Sequence, residues 1–246
     1  MALDEALLEA LARLGRPVLR FYGWSEPAAS FGYFQKFAEV ERATLLRPLV
    51  RRPTGGGLVP HDADWTYTLA FPAGHAWYSL HAEESYRRAH EWIQSAFARL
   101  GVATELARES NGRRRQEAQI EIRPLPSAGP NQPDLCPSPP RFGGKGASLA
   151  AGEVPGQCFL GHEKFDLLWH GKKIAGAAQR RTRAGLLIQG SVQPPPLGLR
   201  RADWEAAMSA GMGGPGENFE PDATLRERSK ILAAQKYSQT AFLKRR

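Results

Sequence analysis

The chain has 246 residues, of which 42% are apolar by a wide count, with two cysteines and a net charge of +8. That length and apolar fraction support a real hydrophobic core and exclude a disordered chain. Two cysteines are too few for a disulfide framework or a zinc site, and no apolar run approaches the ~20 residues of a membrane span.

The excess charge is partly local, in "RRR" at Arg113–Arg115, "RRTR" at Arg180–Arg183 and "KRR" at the C-terminus. It suits an acidic partner or plain solubility. No stretch carries the ligand spacing of a nucleic-acid module, so no nucleic-acid partner is expected. Asp4, Glu5 and Glu9 stand at the N-terminus without a basic start, which does not fit a signal peptide. The expectation is a cytoplasmic protein with reduced thiols and no membrane partner.

Leu3, Leu7, Leu8, Leu11 and Leu14 recur at helical spacing and predict a helix over 2–14, ended by Gly15 and Pro17. "VLRFYGW", Val18–Trp24, reads as a strand, and "AASFGYFQ", Ala28–Gln35, as a second paired with it across "SEP". "DWTYTLAFP", Asp64–Pro72, alternates and reads as another strand. Residues 79–100 form the strongest helical pattern, with Ser79 as cap and Ala89, Trp92, Ile93, Ala96, Phe97 and Leu100 as its inward stripe.

Residues 108–157 are rich in Pro, Gly, Ser and Arg and predict a long flexible insertion. Order returns with "KFDLLWHGKKIAGAAQRR", Lys164–Arg181, read as a hairpin turning at His170–Gly171, and "GLLIQGSV", Gly185–Val192, as the next strand. Residues 203–211 and 223–243 read as helices. Adjacent antiparallel strands with helices grouped elsewhere predict an α+β fold, a single domain over 1–246 with a mostly antiparallel or mixed sheet and flanking helices.

Three features carry chemistry. The first is "RRPTGGGLVPHD", Arg51–Asp62. It lacks the Lys-Ser/Thr of a phosphate loop and the spacing of a dinucleotide fingerprint. Its glycines can line a pocket with amides, and they also fit a plain hairpin turn or bulge. The second is "GKKIAGAAQRR". Strand alternation places Lys173 and Ala175 on one face and Lys172 and Ile174 on the other. Small neighbours leave Lys173 room to meet a carbonyl or phosphate, while the pattern taken alone favours a surface lysine on a hairpin. The third is Cys158, where the insertion meets ordered strand; it fits a reactive thiol or a buried structural one. His61 and His162 are candidate bases by residue type.

Taken in order, "RRPTGGGLVPHD", "CF", "FDLLWHGKKIAGAAQRR" and "LLIQGSV" resemble the lipoate–protein ligase and octanoyltransferase family, closest to its cysteine-dependent octanoyltransferases. "MALDEALLE" and "RFYGWSEPAASFGYFQ" fit the family's opening helix and strands. The resemblance covers most of the chain outside 108–157 and the extreme C-terminus. It implies the catalytic domain shared with biotin ligases, and transfer of an octanoyl or lipoyl group to a lysine of a lipoyl domain. Cys158 in "QCF" matches the cysteine that takes the acyl group as a thioester. Lys173 matches the lysine that contacts the acyl carbonyl or, in the ligases, the activated acyl phosphate. Arg52, Thr54, Gly55, Gly56, Gly57 and His61 match the pocket loop, and Gly176 and Ala178 the opposite wall.

The implied donor is acyl carrier protein. The implied acceptor is a lipoyl domain or the H-type protein of glycine cleavage. Both are typically acidic, which makes the charge of +8 sensible as steering. Thioester exchange conserves group-transfer energy and needs no cofactor. An ATP-dependent lipoate ligase, which would use ATP and Mg, and a non-catalytic basic binding protein are the alternatives. A biotin ligase fits less well, since no Gly-Arg-Gly-Arg type loop is present. Two positions depart from the family pattern: Ala177 stands where serine is usual, and Gln189 where histidine is common.

Overall fold

The computed structural model describes residues 1–110, 161–212 and 219–245. Apart from residues 108–110, the insertion expected over 108–157 lies outside the described residues, as does Cys158. The fold is α+β, as expected. Helix α1 (Ala2–Leu14) leads into β1 (Val18–Tyr22) and β2 (Ala28–Phe31). Then come α2 (Phe37–Ala43), β3 (Leu49–Arg51), β4 (Val59–His61), β5 (Trp65–Pro72), α3 (Ala76–Ser79), α4 (Ala82–Arg99) and β6 (Glu105–Leu106). After the gap follow β7 (Leu167–Trp169), β8 (Lys172–Thr182), β9 (Gly185–Val192), α5 (Arg201–Ser209), α6 (Ala223–Leu232) and α7 (Thr240–Leu243).

Six strands form an antiparallel sheet in the order β1-β5-β9-β8-β7-β6. A smaller sheet, β3-β2-β4, pairs β2 parallel to β3 and antiparallel to β4. The large sheet obeys the period of two. Trp65, Tyr67, Leu69 and Phe71 of β5, with Leu186, Ile188 and Val192 of β9, pack against Ile93 and Phe97 of α4 and Trp204 of α5. Ala70 and Leu187 face the other way, onto Leu7, Leu8 and Leu11 of α1. Further along that second face, the same parity presents Thr66, Gln189 and Ser191, which are polar and buried.

Several expectations need correction. β1 and β2 are not a hairpin: β1 pairs with β5, and β2 enters the small sheet. Residues 23–27 carry the chain from one sheet to the other, and Trp24 stacks on His61 with ring centroids 4.1 Å apart. β2 stops at Phe31, not Gln35, because the chain turns after it, with the Gln35 N–H donating to the Gly32 carbonyl. The helix expected over 79–100 is α4, which starts three residues later at Ala82. Ser79 ends α3 and does not cap α4, since Leu80 and His81 are extended. The C-terminal helix over 223–243 breaks into α6, a π-turn at Ala233–Tyr237 and α7. The strand predicted from Lys164 begins at Leu167; Phe165 takes φ 70° in the preceding turn. The turn at His170–Gly171 is as expected, with φ of 50° and 70°, the double left-handed geometry of a two-residue hairpin.

Arg51 ties the C-terminus to the small sheet. Its buried guanidinium donates to the carbonyls of Leu243, the last residue of α7, and Arg245, and of Tyr33 and Gln35 in the loop after β2, at 2.6–2.8 Å. The next residue, Arg52, points the opposite way.

His90 of α4 gives a pH test of the core. Its Nδ1 meets the Tyr86 carbonyl at 3.0 Å, its Nε2 has no partner among the described residues, and burial lowers its pKa to about 4. The unfolded chain titrates near ~6.5. Between these values the unfolded state binds a proton that the folded state refuses. The stabilisation is therefore complete above ~6.5 and is lost as pH falls towards 4. At about 1.4 kcal/mol per unit, the full loss is roughly 3 kcal/mol. Urea unfolding at pH 7 and pH 4.5 should show a clearly smaller acid loss in His90→Leu than in the parent.

Candidate active site

The two sheets meet in a buried polar seam. Asp64, just before β5, accepts at one carboxylate oxygen from His61 Nδ1 (2.8 Å), Thr66 Oγ1 (2.9 Å) and Ser191 Oγ (2.7 Å). An ionised carboxylate only accepts, so His61 carries its proton on Nδ1 and presents Nε2 as an acceptor. Ser30 Oγ lies 2.6 Å from that Nε2 and donates to it, and itself accepts from Arg52 Nη1 at 2.9 Å. Burial lowers the His61 pKa despite Asp64 beside it, and nearby Arg52 lowers it further. The Asp64 carboxyl is held below its usual range by His61, Ser191 and Thr66 against the opposing effect of burial. The ring is therefore a neutral imidazole at neutral pH, with the connectivity of hydroxyl, base and acid.

Arg52 extends the seam into the glycine run. Its Nη2 donates to the carbonyls of Gly55 (2.9 Å) and Gly57 (2.7 Å), so those glycines serve the guanidinium through their backbones. Gly56 takes φ 83°, a conformation that favours glycine, and lines the cavity. Gly32 is required by close approach, since a Cβ there would lie 2.0 Å from the Gly56 carbonyl oxygen. Thr54 is fully buried and donates to Gln189 Oε1 at 2.9 Å, and Gln189 Nε2 donates to Asp4 at 2.7 Å. Gln189 is thus a two-sided tie between the glycine loop and α1. The glutamine that stands where histidine is common keeps a polar group at this position.

Between the glycine loop and strands β8 and β9 opens a small, half-open cavity. Gly56, Arg52 and His61 line one side, and Gly176, Ala178 and Gln189 the other. Register explains the second wall: Gly176 pairs with Ser191 and Ala178 with Gln189, so all four share one sheet face. The polar groups of this lining are largely spent on one another, and the surface turned to the opening is mainly carbon.

Lys173 reaches this wall through a β-bulge. Leu168 pairs with Lys173 and Leu167 with Ala175, which leaves Ile174 as the extra residue. The bulge breaks the expected alternation. Lys173 does not share a face with Ala175 but lies over Gly176, where a Cβ would stand 2.7 Å from its Cε. Lys173 does not itself line the cavity. Its Nζ meets Asp166 Oδ2 at 2.7 Å, and Asp166 Oδ1 accepts from Tyr86 OH.

The structure thus brings together Arg52, Gly56, His61, Gly176 and Ala178 around one opening, with Thr54, Gly55, Gly57 and Lys173 immediately behind it. His162 is not among the lining residues. Sequence reasoning missed Ser30, Asp64, Thr66, Tyr86, Asp166 and Ser191. Asp62, next to His61 in the sequence, is exposed, and Asp64 is the partner. A buried-strand start at "DW" after an exposed "DA" was the available signal.

The glycines offer a paired test. Gly32→Ala drives a methyl into the Gly56 carbonyl and should cost about 1–3 kcal/mol in urea unfolding. A Cβ at Gly55 meets nothing within 4 Å, so Gly55→Ala should stay within about 0.5 kcal/mol of the parent.

Residues 1–193 match the family described as the lipoyl protein ligase A/B catalytic domain. Among curated relatives, octanoyltransferase LipM of Geobacillus kaustophilus is 32% identical over 198 residues, covering 78% of this chain and 59% of that protein. Octanoyltransferase LipM of Staphylococcus aureus is 30% identical over 198 residues, covering 78% and 60%. The chain thus spans about 60% of the length of these relatives. Among solved structures, lipoate-protein ligase A bound with ATP superposes with a TM-score of 0.65 at 16% identity, covering 99% of this chain and 92% of that one. The bipartite lipoate protein ligase of Thermoplasma acidophilum, described with its E2 lipoyl domain, gives 0.61 at 16%, covering 99% and 91%. These likenesses establish the fold, and the match over residues 1–193 establishes that the chain belongs to the lipoyl protein ligase A/B catalytic domain family.

Proposed function

We propose that the protein is an octanoyltransferase of protein lipoylation. The observation that carries this reading is the carbon-faced opening between Gly56 and the Gly176–Ala178 wall, with a buried ammonium, Lys173, set behind Gly176. Such a slot suits an unbranched acyl chain: apolar walls remove methylenes from water, and fixed donors meet the carbonyl end. Family membership and relatives named octanoyltransferases support the same reading.

In this account Cys158 is the nucleophile, a role carried by its sequence context since it lies outside the described residues. Its thiolate attacks the octanoyl thioester of acyl carrier protein. The carrier's C–S bond breaks as a new one forms to Cys158, and the carrier thiol departs. A lysine amine of a lipoyl domain or glycine cleavage H-type protein then displaces Cys158, losing a proton as the amide forms. Splitting the transfer in two lowers each barrier. No ATP or metal enters the balance. Neutral His61 has an acceptor nitrogen, but Ser30 already occupies it, so His61 serves by holding the wall of the slot. No helix among the described residues is long and apolar enough to cross a membrane. We place the reaction in the cytoplasm, where acyl carrier protein and lipoyl domains are met.

Incubation with octanoyl-acyl carrier protein should add one octanoyl group to the intact protein, and Cys158→Ser should abolish the thioester adduct. An undiminished transfer rate in Cys158→Ser, or turnover of free lipoate only with ATP, contradicts the reading. The slot itself predicts chain-length selection. Ala178→Leu fills the space opposite Gly56, so kcat/KM for octanoyl donor should fall at least about 10-fold and hexanoyl donor should lose less.

A further inference from the structure

The Lys173 ammonium is not placed by its own strand alone. Its side chain is 5% exposed and that of Asp166 is fully buried, so this is an ion pair removed from water. Asp166 Oδ2 accepts from Lys173 Nζ and from the Glu163 backbone N–H, both at 2.7 Å, and Oδ1 accepts from Tyr86 OH. The carboxylate is therefore fixed from three directions, by the turn before β7, by β8 and by α4. Opposite it, glycine at 176 leaves the seat into which the lysine folds. From α4, Tyr86 and His90 face this pair, and Tyr67 of β5 feels the Asp166 charge.

We propose that Asp166, oriented by Tyr86, is a positioning residue for Lys173: it holds the ammonium against the Gly176 wall and keeps it charged there. An amine with this little exposure favours its neutral form unless an opposite charge offsets burial. A neutral amine would be a weak donor; an ammonium offers three strong ones to an oxygen gaining negative charge. The catalytic meaning rests on the acyl-transfer reading above, whereas the placement and charge rest on the geometry alone.

The test separates the two. The 13Cε resonance of Lys173, assigned by its loss in Lys173→Arg, is followed against pH in the parent, in Asp166→Asn and in Tyr86→Phe. In Asp166→Asn it should titrate at lower pH than in the parent, since the buried ammonium has lost its opposite charge. Tyr86→Phe keeps the carboxylate, should shift the same way by less, and serves if Asp166→Asn does not fold. Unchanged titration in both variants overturns the proposal. In octanoyl transfer, the alkaline limb of kcat should move to lower pH by a matching amount in Asp166→Asn. A uniform loss of rate with that limb in place would mark Asp166 as merely structural and overturn the proposal. If the parent transfers no octanoyl group, the acyl reading fails, and the resonance still decides the role of Asp166.

Discussion

One oxygen of the Asp64 carboxylate holds the site together. It accepts from His61 at the end of the small sheet and from Thr66 and Ser191 in the large one. Through His61 it sets the direction of the Ser30 hydroxyl, and Ser30 in turn gives Arg52 an acceptor. Arg52 then gathers the carbonyls on either side of Gly56. A buried network of this kind is stable only when every member is satisfied, because each orphaned group is costly in a low-dielectric interior. That condition explains how a loop of three glycines keeps one shape.

The satisfied network also accounts for the character of the cavity. Serine, threonine, histidine, arginine and glutamine line it, yet most of their polar atoms point at one another. What remains facing the opening is chiefly carbon and glycine backbone. Polar residues thus build an apolar slot, with rigidity that a wall of flexible aliphatic side chains would lack. The larger sheet contributes through its alternation, and the bulge at Ile174 moves Lys173 onto the Gly176 side. Bulges of this kind re-aim side chains next to functional sites.

The strongly periodic parts of the fold were legible in the sequence. The leucines of α1, the alternation of β5 and the His170–Gly171 turn all stand where their patterns put them. The pairing of β1 and β2 was not, because nothing local distinguishes a hairpin from a five-residue crossing between sheets. The break at Leu80–His81 was hidden for a similar reason: helical periodicity continues across it, while the backbone does not. In the site, Arg52, Gly56, His61, Gly176 and Ala178 came from motif order. Their partners Ser30, Asp64 and Ser191 were invisible, since each is an ordinary strand residue until the two sheets close. Lys173 was found by type and spacing, but its face was not, because a bulge carries no clear sequence mark here.

The central claim is that an acyl chain lies between the Gly56 loop and the β8–β9 wall. Photocrosslinking with an octanoyl amide bearing a terminal diazirine, read by peptide mass, tests it directly. The account predicts adducts on the peptides containing Arg52–Val59 and Gly176–Ser191, with protection by excess octanoate. Adducts confined to other peptides, or adducts at these two that octanoate does not displace, would contradict it.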